Sequence, residues 1–226
     1  GTDWLDEIFT VAPVQEYNLG ISGGSAQARY TVSGGLMDNS GILIHSGFSR
    51  YHVRANVDFD IAKWFDFGQS LGGSYTERRG NSGIGSINEA IRISPILPVY
   101  DIQGNFAGTK SPGTSNGQNP VAQQVRSKND FDHRIRLLSN TYAQINFLEK
   151  MSYRTTLGVD LSDSKIRSYE LMNPEFTQTN FGNALRESTR RNFQYNWSNA
   201  ITYSDVISND HSIAILLATE AVSNRS

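Results

Sequence analysis

The 226-residue chain contains no cysteine, and its net charge is only -2 because 20 basic residues stand against 22 acidic ones. The missing thiols exclude disulfide frameworks, zinc ribbons, iron–sulfur clusters and cysteine nucleophiles. The near-neutral charge gives no electrostatic reason to expect a nucleic-acid partner. Hydrophobic residues make up 38% and charged residues 19% of the chain, where a typical globular domain has roughly 45–50% and about 25%. The chain is therefore short of both core material and surface charge.

Long apolar runs are also missing. No stretch of 18 consecutive apolar residues occurs, and the longest dense one, at 213–218, is far too short for a membrane-spanning helix. The first residues, GTDW, lack a methionine and have neither the basic nor the apolar region of a signal peptide. We therefore expect the chain to be a piece of a longer protein.

What the sequence does have is alternation of apolar and polar residues, the pattern typical of strands with two different faces. The alternation is unbroken at 51–60 and 151–162, and it recurs at 193–203. Noisier segments near 15–22, 28–37, 65–76, 134–147 and 211–222 raise the total to about eight strands. Many of them reach about 10 residues, whereas strands of soluble sandwiches mostly have about 5–6.

The length and the second face of these strands favour a membrane barrel over a sandwich. Arg, Asp, Asn, Gln, Gly and Ser occupy the face opposite the apolar one. Strands of about 9–11 residues, apolar outward and polar inward, cross a bilayer as part of a closed barrel. Closure is required there because an open sheet edge in lipid leaves backbone groups unpaired. The pattern predicts an all-β fold, an antiparallel transmembrane β-barrel.

The connections give a second test, because bacterial barrels alternate short periplasmic turns with longer external loops. Short connections near 23–27, 61–64, 148–150 and 205–210 alternate strictly with longer ones near 38–49, 77–133 and 163–192. A sandwich has no reason to alternate in this way. Aromatic residues also gather beside three of the short connections, as an interfacial girdle would, although aromatics favour strands in general.

The connection at about 77–133 is too long for an ordinary turn. It holds four of the six prolines and a polar, glycine-rich run at 110–119, and residues 87–93 predict two turns of helix before Pro95. Loops of this length are usually functional or disordered. The aromatic and amide content would suit a sugar or peptide ligand, while a solvated loop is the commoner explanation.

Short motifs along the chain occur in a recognisable order. They are DWLDEIF at 3–9, AP at 12–13, YNLGISGGS at 17–25, YTVSGG at 30–35, NSGI at 39–42, RY at 50–51, SPILPVYD at 94–101, GN at 104–105, NPVA at 119–122 and RTTLGVD at 154–160. Together they cover nearly the whole chain, and the match is weakest at 168–187. The set resembles the SusC/RagA family of TonB-linked outer-membrane transporters.

The resemblance implies a barrel of about 22 strands with a plugged lumen, of which this chain would supply about eight strands and a long external loop at about 77–133. It implies import of oligosaccharides, glycans or peptides across the outer membrane of Bacteroidetes. It also implies a SusD-like surface lipoprotein as lid and the TonB complex as energy source. We find no TonB box, plug domain or N-terminal extension, so residues 1–226 are expected to be a partial barrel.

Within that barrel, two groups of residues are candidates for a site. Lumen-facing candidates are His52, Arg54, Asn56, Asp58, Arg134, Arg136, Asn140, Gln144 and Arg154. These side chains could equally bond to one another or to the plug. Better candidates for ligand contact lie in the longest loop, and they are Tyr100, Asp101, Asn105 and Phe106.

We expect no enzyme, no catalytic residue, no cofactor and no metal site, since the four histidines show no metal-ligand spacing. Two other interpretations remain open. The first is a soluble β-rich carbohydrate-binding or structural domain, which would need no membrane. The second is a glycoside hydrolase, because sequence cannot show whether two carboxylates lie at catalytic distance.

Overall fold

The computed structural model of the chain describes residues 1–80, 83–110, 113–114, 116–207 and 211–225. Eight strands form one sheet in chain order, and each pairs antiparallel with the next. The strands are β1 Val14–Gly24, β2 Ala28–Ser40, β3 Gly47–Ala62, β4 Phe65–Arg79, β5 Phe131–Phe147, β6 Met151–Glu170, β7 Ala184–Ile207 and β8 His211–Arg225. The helices are α1 Trp4–Ile8, α2 Gly85–Arg92 and α3 Pro120–Ser127.

The sheet confirms the predicted all-β antiparallel fold and each of the eight predicted strands. Strand β1 lies at one edge and β8 at the other, and the described residues contain no pairing between them. None of the three helices has the length and hydropathy needed to cross a membrane.

Short and longer connections alternate along the described strands, as predicted. The short ones include 25–27, 63–64 and 148–150, and the longer ones are 41–46, 80–130 and 171–183. All the longer connections lie at the same end of the sheet, which we call the outer end. The short connection at 208–210 falls outside the described residues.

Strands β6 and β7 are longer at the outer end than the sequence pattern predicts, so the connection expected at 163–192 shrinks to 171–183. Ion pairs join the two strands there: Arg191 to Asp163 at 3.0 Å, Arg167 to Glu187 at 2.6 Å and Arg186 to Glu170 at 3.2 Å. The backbone pairing of β6 with β7 continues through residues with charged side chains. These residues lie beyond the point at which the alternation of apolar and polar residues stops. That is why periodicity alone missed these residues.

The two faces of the sheet differ in chemistry. In antiparallel pairs, directly opposed residues lie on the same face, and the register therefore defines rows across the sheet. One row runs Val53, Gly73, Leu137, Leu161, Phe193, and the neighbouring row on the other face runs Arg54, Gly72, Leu138, Asp160, Gln194. We call these the apolar face and the polar face.

Large side chains on the apolar face are exposed along the whole width of the sheet. Leu19 is 73% exposed, Leu71 49%, Trp197 51% and Leu217 70%. The polar face is not uniform, because Leu138, Leu216 and Val222 also lie on it. A continuous apolar surface of this extent requires an apolar environment or a partner.

The buried core lies outside the sheet, among the helices and connections at the outer end. It consists of Trp4, Ile8, Leu43, Ala90, Ile93 and Val121. Residues 1–13 and the described parts of 41–46, 80–130 and 171–183 therefore form a packed body, which we call the loop unit. The predicted solvated loop is wrong in this respect, since helices α1, α2 and α3 bury apolar side chains against one another.

Candidate functional site

The register places all nine lumen candidates on the polar face. His52 and Arg136 both lie opposite Ser74. Residues two apart on a strand share a face, which adds Arg54, Asn56 and Asp58 on β3 and Arg134 on β5. Arg154 joins them because it lies opposite Gln144, eight residues along β5 from Arg136. Asn140 is on the same face.

On the polar face, a cluster of charged and aromatic side chains lies close to the short connections. The hydroxyl of Tyr142 donates to Asp58 Oδ1 at 2.8 Å, and the Arg154 guanidinium carbon lies 3.8 Å from the centre of the Tyr142 ring. Gly68 makes room for that ring, since a Cβ there would lie 2.1 Å from Tyr142 Cε1. Asp58 and Arg154 are thus held by a shared aromatic neighbour.

Two further pairs cross the polar face. Arg136 donates two hydrogen bonds to Asp160, at 3.0 Å and 2.6 Å. Ser70 donates to Asn56 Oδ1 at 2.6 Å. Contacts within the polar face therefore engage Asn56, Asp58, Arg136 and Arg154, whose side chains are not free to meet a ligand without losing a partner.

Three other lumen candidates differ from these because their side chains are not engaged. In the part of the chain that the structure describes, the side chains of His52, Arg54 and Arg134 have no hydrogen-bonded or ion-paired partner. Arg54 and Arg134 are exposed and His52 is half-buried. These three side chains keep their full capacity to donate hydrogen bonds.

The four loop candidates form one tight turn. The Asp101 carboxylate accepts from the backbone N–H groups of Gln103 at 2.9 Å and Asn105 at 2.8 Å. The Asn105 hydrogen bond is the main reason that the pKa of Asp101 lies below its usual range. The rings of Tyr100 and Phe106 stack at 5.2 Å and close the turn.

Neighbouring residues anchor this turn to the loop unit. Asn119 Nδ2 donates to the carbonyl oxygens of Val99 at 2.9 Å and Ala107 at 2.8 Å, one on each side of the turn. Arg126 lies 5.5 Å from the centre of the Phe106 ring. Asp101 thus shapes the turn, while Tyr100 remains 51% exposed and can offer its ring to a ligand.

Arg126 also ties the two longest connections together. It donates two hydrogen bonds to the Glu175 carboxylate, at 2.5 Å and 2.8 Å, and both side chains are largely buried. Gly108 lies against the same segment, because a Cβ there would be 2.1 Å from the Glu175 carbonyl oxygen. The connection at 171–183 is therefore part of the body that carries the turn.

Sequence reasoning missed Asn119, Arg126 and Glu175. A signal for the first was present: Asn119 followed by Pro120 is a typical helix start, with an N-cap side chain and proline in the first turn. The structure bears this out, since Asn119 Oδ1 accepts from the Ala122 N–H at 3.1 Å. No local signal marks the pairing of Arg126 with Glu175, which are 49 residues apart.

Metal ligands do not gather in the described residues. No three histidine, aspartate or glutamate side chains lie close enough there to hold a metal ion.

Sequence comparison identifies known proteins that are similar to this chain. No family model matches the chain. The TonB-dependent receptor P3 of Formosa agariphila is 30% identical over 178 residues, which cover 75% of this chain and 18% of the receptor. The TonB-dependent receptor SusC of Bacteroides thetaiotaomicron is 32% identical over 117 residues, or 48% of this chain and 11% of SusC. The chain belongs to the SusC/RagA family of TonB-dependent receptors.

Further relatives agree with this family. The TonB-dependent receptor P26 of Formosa agariphila is 26% identical over 215 residues, which cover 95% of this chain and 21% of the receptor. The chain thus spans between 11% and 21% of the length of these curated relatives.

Solved structures confirm the fold. A structure of the RagAB peptide transporter superposes with a TM-score of 0.79 at 23% identity, over 98% of this chain and 25% of that one. The RagAB peptide importer in its closed-closed state gives 0.77 at 24% identity, over 97% of this chain and 25% of that one. The sheet is therefore similar to part of the RagA barrel.

Proposed function

We propose that the chain forms part of the barrel wall of a TonB-dependent importer that takes up nutrients across the bacterial outer membrane. The observation that carries this proposal is the exposed apolar face, which spans the sheet from Leu19 on β1 to Leu217 on β8. Lipid would provide the apolar environment for such a face, and the strands are long enough to cross a bilayer. The exposed Trp64 ring beside a short connection suits an interfacial position.

In this arrangement the polar face lines the lumen, and the loop unit lies outside the cell. The longer connections of barrels face outward and the short ones face the periplasm, which assigns the outer end to the cell surface. His52, Arg54, Asn56, Asp58, Arg134, Arg136 and Arg154 then face the lumen. The segment acts as transporter wall and provides no catalytic group.

The partners follow from the same assignment. A SusD-like surface lipoprotein would cover the outer end as a lid, and TonB would act through parts of the protein other than these strands. Support comes from the relative SusC and from RagAB, which is a peptide importer. Oligosaccharides or peptides are the ligand classes that we assign to the whole transporter.

Tyr100, Asp101, Asn105 and Phe106 are proposed to contact ligand at the outer end. The exposed face of Tyr100 is the strongest candidate, because aromatic rings stack on sugar and peptide groups and this ring has a free side. Tyr100→Ala should weaken ligand binding, whereas Ile102→Ala, a change at a fully exposed position of the same turn, should not. Equal binding by both variants would contradict the contact.

The experiment for the proposed function uses the protein at its natural length in its native host. We expect the protein in the outer-membrane fraction, soluble only in detergent, and we expect deletion to abolish growth on the oligosaccharide or peptide that it imports. Recovery as a soluble protein without detergent would overturn the proposal and favour a soluble β-rich binding domain.

A further inference from the structure

Three arginines lie in one row across the polar face near the outer end. Following the register from β3 to β7, the row reads Arg50, Thr76, Arg134, Ser164, Arg190. A basic side chain thus alternates with a hydroxyl on five consecutive strands. We call these five positions the arginine row.

The arginine row carries positive charge without partners. In the residues that the structure describes, Arg50, Arg134 and Arg190 make no side-chain hydrogen bond and no ion pair, and all three are exposed. Other arginines nearby are engaged, such as Arg136 with Asp160 and Arg191 with Asp163. The row is therefore available to an anion, and its neighbours are not.

Its spacing suits a linear ligand with repeated charges. Adjacent strands lie about 4.8 Å apart, which puts successive arginines of the row about 10 Å from one another. An open groove of about 840 Å³ follows the row from Arg134 to Arg190. Guanidinium groups bind carboxylates with two parallel hydrogen bonds, which fixes both distance and direction.

We propose that the arginine row binds an oligosaccharide that carries carboxylate groups, an inference that rests on the importer function proposed above. The next row on the polar face, toward the short connections, consists of His52, Ser74, Arg136, Ser162 and Asn192, and Arg136 is bound to Asp160. These groups offer hydrogen bonds to sugar hydroxyls and no apolar pocket for peptide side chains. An acidic oligosaccharide fits this surface better than an acidic peptide.

In the described part of the chain, no carboxylate forms an ion pair with an arginine of the row. Asp160 lies on the polar face two rows closer to the short connections, and its carboxylate accepts hydrogen bonds from Arg136. Asp132 lies in the next row outward, opposite Arg78 on β4. If the arginine row is followed from β3 to β1, it reaches Glu16, and Met37 on β2 separates Glu16 from Arg50. The charge between Arg50 and Arg190 therefore stays positive.

The test measures binding of a galacturonate hexamer to the natural-length protein in detergent, beside the methyl ester of the same hexamer. We expect the acid to bind and the neutral ester to bind far more weakly. Arg134→Gln and Arg190→Gln should each weaken binding of the acid about tenfold, the loss of one charged hydrogen-bond pair. Arg167→Gln is the matched control and should leave binding unchanged, because Arg167 lies on the opposite face at the same end of the sheet and pairs with Glu187 at 2.6 Å.

Equal binding of the acid and the ester, or an equal loss of binding caused by Arg167→Gln, would overturn the proposal. Binding of hexaglutamate in place of the hexuronate would overturn the assignment to a sugar. Membrane insertion of every variant is checked by its heat-dependent migration, and Arg134→Lys and Arg190→Lys replace any variant that fails to insert. If the protein inserts in the outer membrane but does not bind the acidic hexamer, only this inference is contradicted. If the protein is soluble without detergent, the proposed importer function is contradicted as well.

Discussion

Asn119 shows how single side chains fix the shape of the loop unit. Its side chain is 1% exposed, and it both starts α3 and joins the two sides of the Tyr100–Phe106 turn. Each of these bonds satisfies a backbone group that has little access to water. The residue is therefore structural, although it lies beside the candidates for ligand contact.

Replacing Asn119 by alanine should open this part of the loop unit. The change removes an N-cap and the side-chain donor shared by two carbonyl oxygens, at a cost of about 2–4 kcal/mol. The carbonyl oxygen of Val99 keeps the Ala107 N–H at 3.0 Å, whereas that of Ala107 loses the Asn119 donor. Hydrogen exchange of the amides in 99–107 and 120–127 measures the opening. Asn119→Asp keeps the cap acceptor and loses the donor, so protection should fall at 99–107 and persist in α3. Unchanged exchange in Asn119→Ala would contradict the role.

Asp101 makes the turn sensitive to acid. Its pKa is lowered in the folded protein, so its contribution is complete above the ordinary aspartate pKa of about 3.9 and is lost as the pH falls through the lower folded value. Asp101→Asn keeps an acceptor without the charge. The amides of Gln103 and Asn105 should exchange faster in Asp101→Asn than in the wild type at neutral pH, and the difference should vanish in acid. A difference independent of pH would refute the charge effect.

At the scale of elements, the strands were predictable and the loop unit was not. Alternation at 51–60 and 151–162 located β3 and β6 because each strand faces two different environments. The outer ends of β6 and β7 escaped detection because ion pairs support them. The core formed by Trp4, Leu43, Ile93 and Val121 brings together four distant segments, and no local period encodes such a contact.

The same reasoning applies to the candidate site. Periodicity placed His52, Arg54 and Arg134 on one face, but it could not say which side chains lack a partner. Whether a side chain has a partner depends on the strand register, since Arg136 forms an ion pair with Asp160 and Arg134 does not. Likewise, the length and composition of the connection at about 77–133 pointed to Tyr100 and Asp101, while the stacking of Tyr100 on Phe106 required the folded turn.

The pair of Arg126 and Glu175 should couple the two longest connections. Glu175→Gln leaves a largely buried guanidinium without its counter-charge, which costs about 3 kcal/mol. We expect faster proteolysis in 171–183 and in the neighbouring turn. Glu170→Gln is the control, since it breaks a well-exposed pair with Arg186 and should cost about 0–1 kcal/mol. Similar proteolysis of the two variants would show that Arg126 does not link the connections.

At the scale of the whole molecule, the two faces of the sheet and the loop unit at one end have separate roles in the function that we propose. In that proposal the apolar face contacts lipid, the polar face lines the lumen, and the outer end contacts ligand and lid. Leu137 and Leu138 are adjacent on β5 yet lie on opposite faces, and both are exposed, at 51% and 42%. They therefore report on the two environments separately.

Spin labels at positions 137 and 138 test this division most directly. The chain has no cysteine, so Leu137→Cys and Leu138→Cys give one label site each within it. In the natural-length protein in bilayers, the label at 137 should collide mainly with oxygen dissolved in lipid. The label at 138 should collide mainly with a water-soluble nickel chelate. Equal access of the chelate to both labels would contradict a membrane barrel and leave the sheet as part of a soluble domain.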